Sequence, residues 1–180
     1  MVLKPNNSWT WYYDQKNDSL MLDLGEKMVF RVSIPCKHLI TCAFNRSEFT
    51  VDDASTYQTF LENIATLELS APRKVELALN AVAASRFHKP MMPKSWFFTQ
   101  QDGGYEPRNG EIIALDTELA TGKYLVIENS GCASLCMLAD VEPHQLAIGK
   151  DIDFCGVIKV MNDRMQSVRI DDELGFALVG

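Results

Sequence analysis

The sequence lacks any apolar run near the roughly 20 residues that a membrane-spanning helix needs. Its first residues contain no hydrophobic stretch followed by a small-residue cleavage site, so they do not predict a secretory signal. The sequence also predicts no disulfide framework, because the number of cysteines, five, is odd and no export signal accompanies them. We therefore expect a cytoplasmic protein with buried thiols. The cysteines are Cys36, Cys42, Cys132, Cys136 and Cys155.

Signatures of catalysis are missing as well. The sequence contains neither a glycine-rich phosphate loop nor a nucleophile-elbow serine motif, and its histidines His38, His88 and His144 lie in unrelated segments. Cys36, His38 and Cys42 form only part of a metal site, and a set completed by Cys132 and Cys136 would have irregular spacing for zinc. We predict no catalytic residues, no cofactor and no metal.

The charge is acidic and unevenly distributed along the chain. The 180 residues carry a net charge of −7, whereas 47% hydrophobic and 23% charged residues are ordinary for a globular protein. Residues 1–94 have a net charge of +1, and residues 95–180 a net charge of −8. An acidic chain repels the phosphate backbone of nucleic acids, which argues against such a partner. An acidic partner is expected to prefer the N-terminal part.

Three short strands are predicted in the first third of the chain. Residues 9–13 are aromatic and extended, and the next two strands, residues 20–24 and 28–32, alternate in a two-residue period. Turn signals separate the strands, so we expect an antiparallel meander with one buried face. Residues 34–50 are predicted to have little regular structure.

Two helices should follow this meander. Asp52 or Asp53 is expected to cap the first helix, whose apolar residues recur at helical spacing up to Leu67. Ser70 is expected to open the second helix, with a proline in its first turn. The second helix has almost no polar face and should be buried on several sides; it is predicted to end before Pro90.

The remaining part reads as short strands separated by turn signals at roughly 8–12 residue intervals, a pattern typical of a small barrel or sandwich. We therefore predict an α+β protein with an N-terminal α+β domain, residues 1–94, and a mostly-β, barrel-like domain, residues 95–180. The predicted strands are residues 96–99, 112–115, 124–127, 135–138, 146–148, 157–160 and 168–170.

Three other segments have competing interpretations. Residues 89–96, Lys-Pro-Met-Met-Pro-Lys-Ser-Trp, could be the rim of a pocket for an acidic, apolar partner, but taken alone they favour a stiff linker. Trp9, Trp11 and Tyr13 could stack nucleic-acid bases, but core packing is favoured because no basic residues are interleaved with them. The acidic and then apolar tail, residues 173–180, could dock in a groove, although a last strand or frayed end is favoured.

Six blocks in order along nearly the whole chain are Lys4-Pro5 and residues 9–14, 20–24, 92–96, 133–139 and 158–164. Together these blocks resemble the ZapC family of Z-ring-associated cell-division proteins. The resemblance implies a non-catalytic cytoplasmic protein at the midcell division site that binds FtsZ directly. It further implies lateral association of FtsZ filaments, a stabilised Z-ring and lower FtsZ GTPase activity.

The resemblance favours the pocket-rim interpretation of residues 89–96. The site residues that it implies are Leu22 as an apolar wall, Arg86 one helical turn before the rim, and Lys89, Met92, Lys94 and Trp96. The expected partners are FtsZ filaments, without membrane or nucleic acid, and the expected state is a monomer or weak dimer. The alternatives are a nucleic-acid-binding small-barrel module and a small enzyme with an unfamiliar site.

Overall fold

The structure, a computed structural model, describes residues 3–102 and 104–168. These residues form helices and mostly antiparallel strands, which confirms the α+β class. The helices are α1, Val51–Ile64, and α2, Ala71–Phe87. The strands are β1, Thr10–Asp14; β2, Ser19–Gly25; β3, Met28–Arg31; β4, Ser47–Glu48; β5, Ile112–Asp116; β6, Thr121–Asn129; β7, Ala133–Leu138; β8, His144–Ala147; β9, Lys150–Ile152; β10, Val157–Met161; and β11, Met165–Ser167.

The first sheet contains the predicted meander. Its strand order is β3-β2-β1-β4, and the β1–β2 pairing places Trp11 opposite Leu22. The two-residue alternation along β2 sends Leu20 and Leu22 into the core, where both are fully buried. Residues 34–50 have more structure than predicted, because they form two single turns of 3-10 helix and then β4, which pairs with β1.

The helices begin at capped N-termini. The cap of α1 is Thr50, so the prediction of Asp52 or Asp53 is wrong: Thr50 Oγ1 accepts from Asp53 N at 3.1 Å, and the Asp53 carboxylate accepts from Thr50 N at 3.0 Å. This reciprocal pair satisfies two backbone donors that a helix start leaves free. Ser70 caps α2 as predicted, by accepting from Arg73 N. Neither described helix is long and apolar enough to cross a membrane.

The second sheet is open, which corrects the predicted barrel-like closure. Its order is β10-β7-β6-β5-β11, and within residues 104–168 the edge strands β10 and β11 do not pair with each other; β8 and β9 form a separate hairpin. The predicted strand at residues 96–99 is wrong. Ser95–Phe97 forms a turn of 3-10 helix, because Phe98 N donates to Ser95 O at 2.9 Å. Of the predicted strand at residues 168–170, residues 169–170 lie outside the described part; β11 ends just before it.

Neighbouring residues of β6 enter two different hydrophobic cores. Leu125 and Ile127 join a large core with the helices and the first sheet, whereas Tyr124 and Val126 join a smaller core on the opposite face. Successive strand residues face opposite sides, so this sheet is covered on both faces, which explains its continuous apolar runs. The large core therefore contains residues from both sides of position 94.

The N-terminal aromatic residues are part of the large core, as predicted. Trp9 and Trp11 are buried, and the Trp11 ring packs edge-on against Phe87 with 5.4 Å between centroids. Such edge-to-face pairs add to the free energy gained by burying the rings. Trp11 thus connects the first sheet to the C-terminal end of α2, which is where the candidate site begins.

Candidate functional site

Residues 89–96 connect the end of α2 to the second sheet and are fixed at several points. Lys89 N donates to His38 O at 2.7 Å, and Lys94 N donates to Lys159 O at 2.8 Å. Ser95 Oγ accepts from Met161 N at 2.8 Å. The backbone of the segment is therefore attached to the loop before α1 and to β10, although the segment has almost no regular structure of its own.

Large apolar side chains on this fixed backbone point into solvent. Met92 is 81% exposed and Trp96 is 70% exposed, although their size would favour burial. Lys89 is exposed and Lys94 is half-buried. The structure thus places four of the predicted site residues on one short, stiff segment, which we call the candidate surface: Lys89, Met92, Lys94 and Trp96.

A group of basic side chains surrounds the beginning of this surface. Lys89 Nζ donates to Lys37 O at 2.9 Å, and the rings of His38 and His88 lie 5.6 Å apart between centroids. Burial, followed by the nearby His88 and the cations Lys37, Lys94 and Lys89, lowers the pKa of His38. Burial also lowers the pKa of His88, although a hydrogen bond from its Nδ1–H to Lys89 O opposes the shift. Positive charge is therefore concentrated here in a protein whose net charge is negative.

Two cavities adjoin the same segment. The first, about 150 Å³, is lined on one side by Lys89 and Pro90 and on the other by Glu128 and Lys159 of the second sheet. The second, about 380 Å³, is lined by both histidines and by residues 151–157. The first cavity lies between the end of α2 and the second sheet, and Lys89 of the candidate surface lines it. The second cavity lies beside His88, between the loop after β3 and the segment from β9 to β10.

Sequence reasoning did not include Phe97 and Lys150. The ring of Phe97 lies 5.5 Å from that of Trp96 between centroids, and Lys150 Nζ lies 5.4 Å from the Phe97 centroid. A cation over an aromatic face is attracted by the ring quadrupole. The aromatic pair 96–97 was visible in the sequence, but the approach of β9, which carries Lys150, required the folded structure.

Two predicted site residues, Leu22 and Arg86, make their contacts away from the candidate surface. Leu22 is fully buried opposite Trp11, so it has no exposed atoms to form a pocket wall. Arg86 Nη1 donates to Glu48 O at 2.7 Å and to the carboxylate of Asp53. Leu22 therefore belongs to the large core and is not a pocket wall, and Arg86 joins the end of α2 to β4 and to the start of α1.

Groups with chemical reactivity are not collected in one place. Burial raises the pKa of the Cys155 thiol to about 12 and that of Cys136 further, whereas Cys42 and Cys132 are exposed, contrary to the prediction of buried thiols. His144 is buried and accepts a hydrogen bond from the Tyr124 hydroxyl at 2.7 Å. Over the residues that the structure describes, no group of three or more His, Cys, Asp or Glu side chains could hold a metal ion.

Comparison with known proteins identifies the family. Residues 2–89 match the family described as "Cell-division protein ZapC, N-terminal", and residues 90–171 match "Cell-division protein ZapC, C-terminal". This chain belongs to the ZapC family. The family is a cell-division family and not a known enzyme family, and its membership gives the chain a role in cell division.

ZapC relatives match over nearly their whole length. The relative from Photobacterium profundum is 62% identical over 99% of this chain and 100% of its own length. The relative from Aliivibrio salmonicida is 55% identical over the same shares, and that from Vibrio cholerae is 47% identical over 93% of each chain. All three are named "Cell division protein ZapC". The two ZapC segments meet at residues 89 and 90, so the candidate surface extends from one into the other.

Proposed function

We propose that this protein binds FtsZ filaments directly through the candidate surface. Binding promotes lateral association of the filaments, stabilises the Z-ring and lowers FtsZ GTPase activity, in the cytoplasm at the midcell division site. The protein acts by binding, without catalysis. Membership of a cell-division family supports the biological role, and the exposure of Met92 and Trp96 on the segment that carries Lys89 and Lys94 is the observation that supports the location.

The chemistry of the surface favours an acidic partner with apolar groups. Lysines at the edge of an interface steer an oppositely charged partner and increase the association rate. Exposed tryptophan and methionine side chains lose water on binding and supply most of the affinity in such interfaces. A segment fixed by two backbone hydrogen bonds and one to the Ser95 side chain loses little conformational entropy when the partner binds.

Bundling requires that each protein molecule hold two filaments. Either two separate contacts on one chain or one contact on a weak dimer would meet this requirement. Slower subunit turnover in bundled filaments would then reduce GTP hydrolysis, without any contact with the nucleotide.

The charge contribution is tested by co-sedimentation with FtsZ and GTP. We expect the double variant Lys89→Glu, Lys94→Glu to remain in the supernatant, because two attractive charges become repulsive. Lys16→Glu, in the exposed turn after β1, is the matched control and should pellet like the unmodified chain. Pelleting of the double variant at the control level would contradict the proposed surface.

The apolar contribution is tested separately with Trp96→Ala. This change should weaken FtsZ binding by about 2 kcal/mol, roughly 30-fold, which is typical of a central interface tryptophan. Its effect should persist at high salt, whereas the effect of the lysine reversals should decrease. Binding to RNA or DNA that depends on salt, with no pelleting on FtsZ, would instead favour a nucleic-acid-binding module.

A further inference from the structure

An apolar groove lies between the last turns of α1 and the first turns of α2. Its volume is about 420 Å³, which is within the range of pockets that hold small ligands. Leu61 and Val75 are half-buried in its wall, whereas Ala65 and Ala71 are exposed at its rim. Lys74 also lines the groove and donates from Nζ to Ala65 O at 3.2 Å. The groove therefore offers apolar surface with a cation at its edge.

The described chain ends beside this groove. Val168, the last described residue, lines a neighbouring cavity together with Asn63 and Thr66. Asn63 follows Glu62 in the chain, and Thr66 follows Ala65; Glu62 and Ala65 both line the groove. The two sites thus lie on adjacent sides of the same helix end, within about one helix diameter, ~10 Å.

The sequence beyond Val168 has a pattern that fits such a groove. Residues 171–173 are acidic, and Leu174, Phe176 and Leu178 then alternate with other residues. Residues at a two-residue period share one face of an extended chain. Five residues extend at most ~17 Å, so the apolar residues begin about where the groove lies.

Charges along the path neither drive nor prevent docking. Lys123 lines the cavity at Val168 and Lys74 lines the groove, and both can attract the acidic residues 171–173. Glu68 and Glu111 line the first cavity and Glu62 lines the groove, so repulsion offsets this attraction. Contact between apolar side chains must therefore supply most of the binding free energy.

We propose that residues 174–178 of this same chain occupy the groove between α1 and α2. Attachment at Val168, next to the groove, gives the segment an effective concentration on the order of millimolar, which favours it over a second copy or another protein. This inference does not depend on FtsZ binding, and its tests use the full chain without FtsZ.

The first test measures how quickly chymotrypsin cleaves within residues 174–178. Ala71→Asp places a carboxylate at the groove rim and should speed this cleavage by at least about fivefold, because the segment is released more often. Val51→Asp is the matched control: Val51 and Ala71 are the first residues of α1 and α2, and both are exposed. A carboxylate is favourable at either helix start, so both variants should remain folded.

The second test follows the methyl resonances of Leu61 and Val75 by NMR. Phe176→Ala should shift both, because an aromatic ring leaves the groove. Val179→Ala, on the other face of the alternating segment, should leave them unchanged.

Three outcomes would overturn the proposal. The first is equal cleavage rates in Ala71→Asp and the unmodified chain, and the second is an unchanged position of both methyl resonances in Phe176→Ala. The third is loss of the Phe176-dependent shift on dilution, which would make a second copy the occupant. A shift that persists on dilution, together with faster cleavage only in Ala71→Asp, supports docking within one chain.

Discussion

At the scale of single residues, Asp53 joins three parts of the N-terminal half. Its carboxylate accepts from Trp11 Nε1 at 3.1 Å, from Thr50 N at 3.0 Å and from Arg86. Trp11 is fully buried, so its indole donor has no access to water as an alternative. The carboxylate therefore stabilises a helix start, the first sheet and the C-terminal end of α2 together.

Removal of this carboxylate should strongly destabilise the fold. We expect Asp53→Ala to lower the free energy of unfolding by about 3–5 kcal/mol, because Arg86 loses its ion pair and the Trp11 donor is left unsatisfied. The control Asp52→Ala removes an exposed carboxylate from the same helical turn and should cost ~1 kcal/mol or less. Urea unfolding followed by tryptophan fluorescence measures both values. Equal costs would mean that the Asp53 contacts contribute little.

The His38–His88 pair should make stability depend on pH. Folding lowers both pKa values, so the folded state favours the neutral rings. The stabilisation is complete above the unfolded pKa, about 6.5, and is lost as the pH falls from there through the folded values. We expect the free energy of unfolding to decrease more between pH 7.5 and pH 5.5 in the unmodified chain than in the double variant His38→Gln, His88→Gln.

Urea titrations at the two pH values provide this comparison. Contributions from other titrating groups are shared by both proteins and cancel in the difference. An equal decrease in the free energy of unfolding in both proteins, between pH 7.5 and pH 5.5, would contradict the lowered pKa values of His38 and His88.

At the scale of elements, local signals were sufficient to predict α2 but not the turns that distant residues hold in place. Helix α2 was predictable because its cap, Ser70, and its continuous apolar run are contiguous in sequence. The turn at residues 95–97 was not predictable, because Ser95 bonds to Met161, which is 66 positions away. Residues 34–50 were under-predicted for the same reason, since β4 is defined only by its pairing with β1.

The candidate site was predictable in part. The sequence indicated a stiff segment at residues 89–96, and the structure exposes Met92 and Trp96 on it. Alternation placed Leu22 on one face of a strand, but it could not show whether a partner or the core covers that face. In the structure the core covers it. Contributions from His38 and Lys150 were missed because separate elements bring them to the segment.

At the scale of the whole molecule, the division into residues 1–94 and 95–180 remains a prediction, and the large core bears on it. That core combines α2 and the first sheet with Leu125, Ile127, Met137 and Ala139 of the second half. Two regions that bury surface against each other so extensively are expected to unfold together. The net charges of +1 for residues 1–94 and −8 for residues 95–180 then belong to two parts of one cooperative unit.

Adjacent residues of the second sheet allow this cooperativity to be measured. Met137 faces the large core and Leu138 faces the smaller one, and both are fully buried. Each substitution to alanine should cost about 2–5 kcal/mol. Fluorescence of Trp9 and Trp11 reports on the large core. Thiol labelling reports on the smaller core when the label on the Cys136 peptide is measured separately by mass spectrometry, because the other buried thiol, Cys155, lies in the large core.

If the molecule unfolds as one unit, Leu138→Ala should lower the urea midpoints of both probes equally, and Met137→Ala should do the same. If the halves unfold independently, Leu138→Ala should lower the midpoint of thiol labelling and leave the tryptophan midpoint unchanged. We expect equal shifts of both midpoints. The same strands carry Met137 and Leu138, so loss of packing on one face of the sheet should also disrupt the packing on its other face.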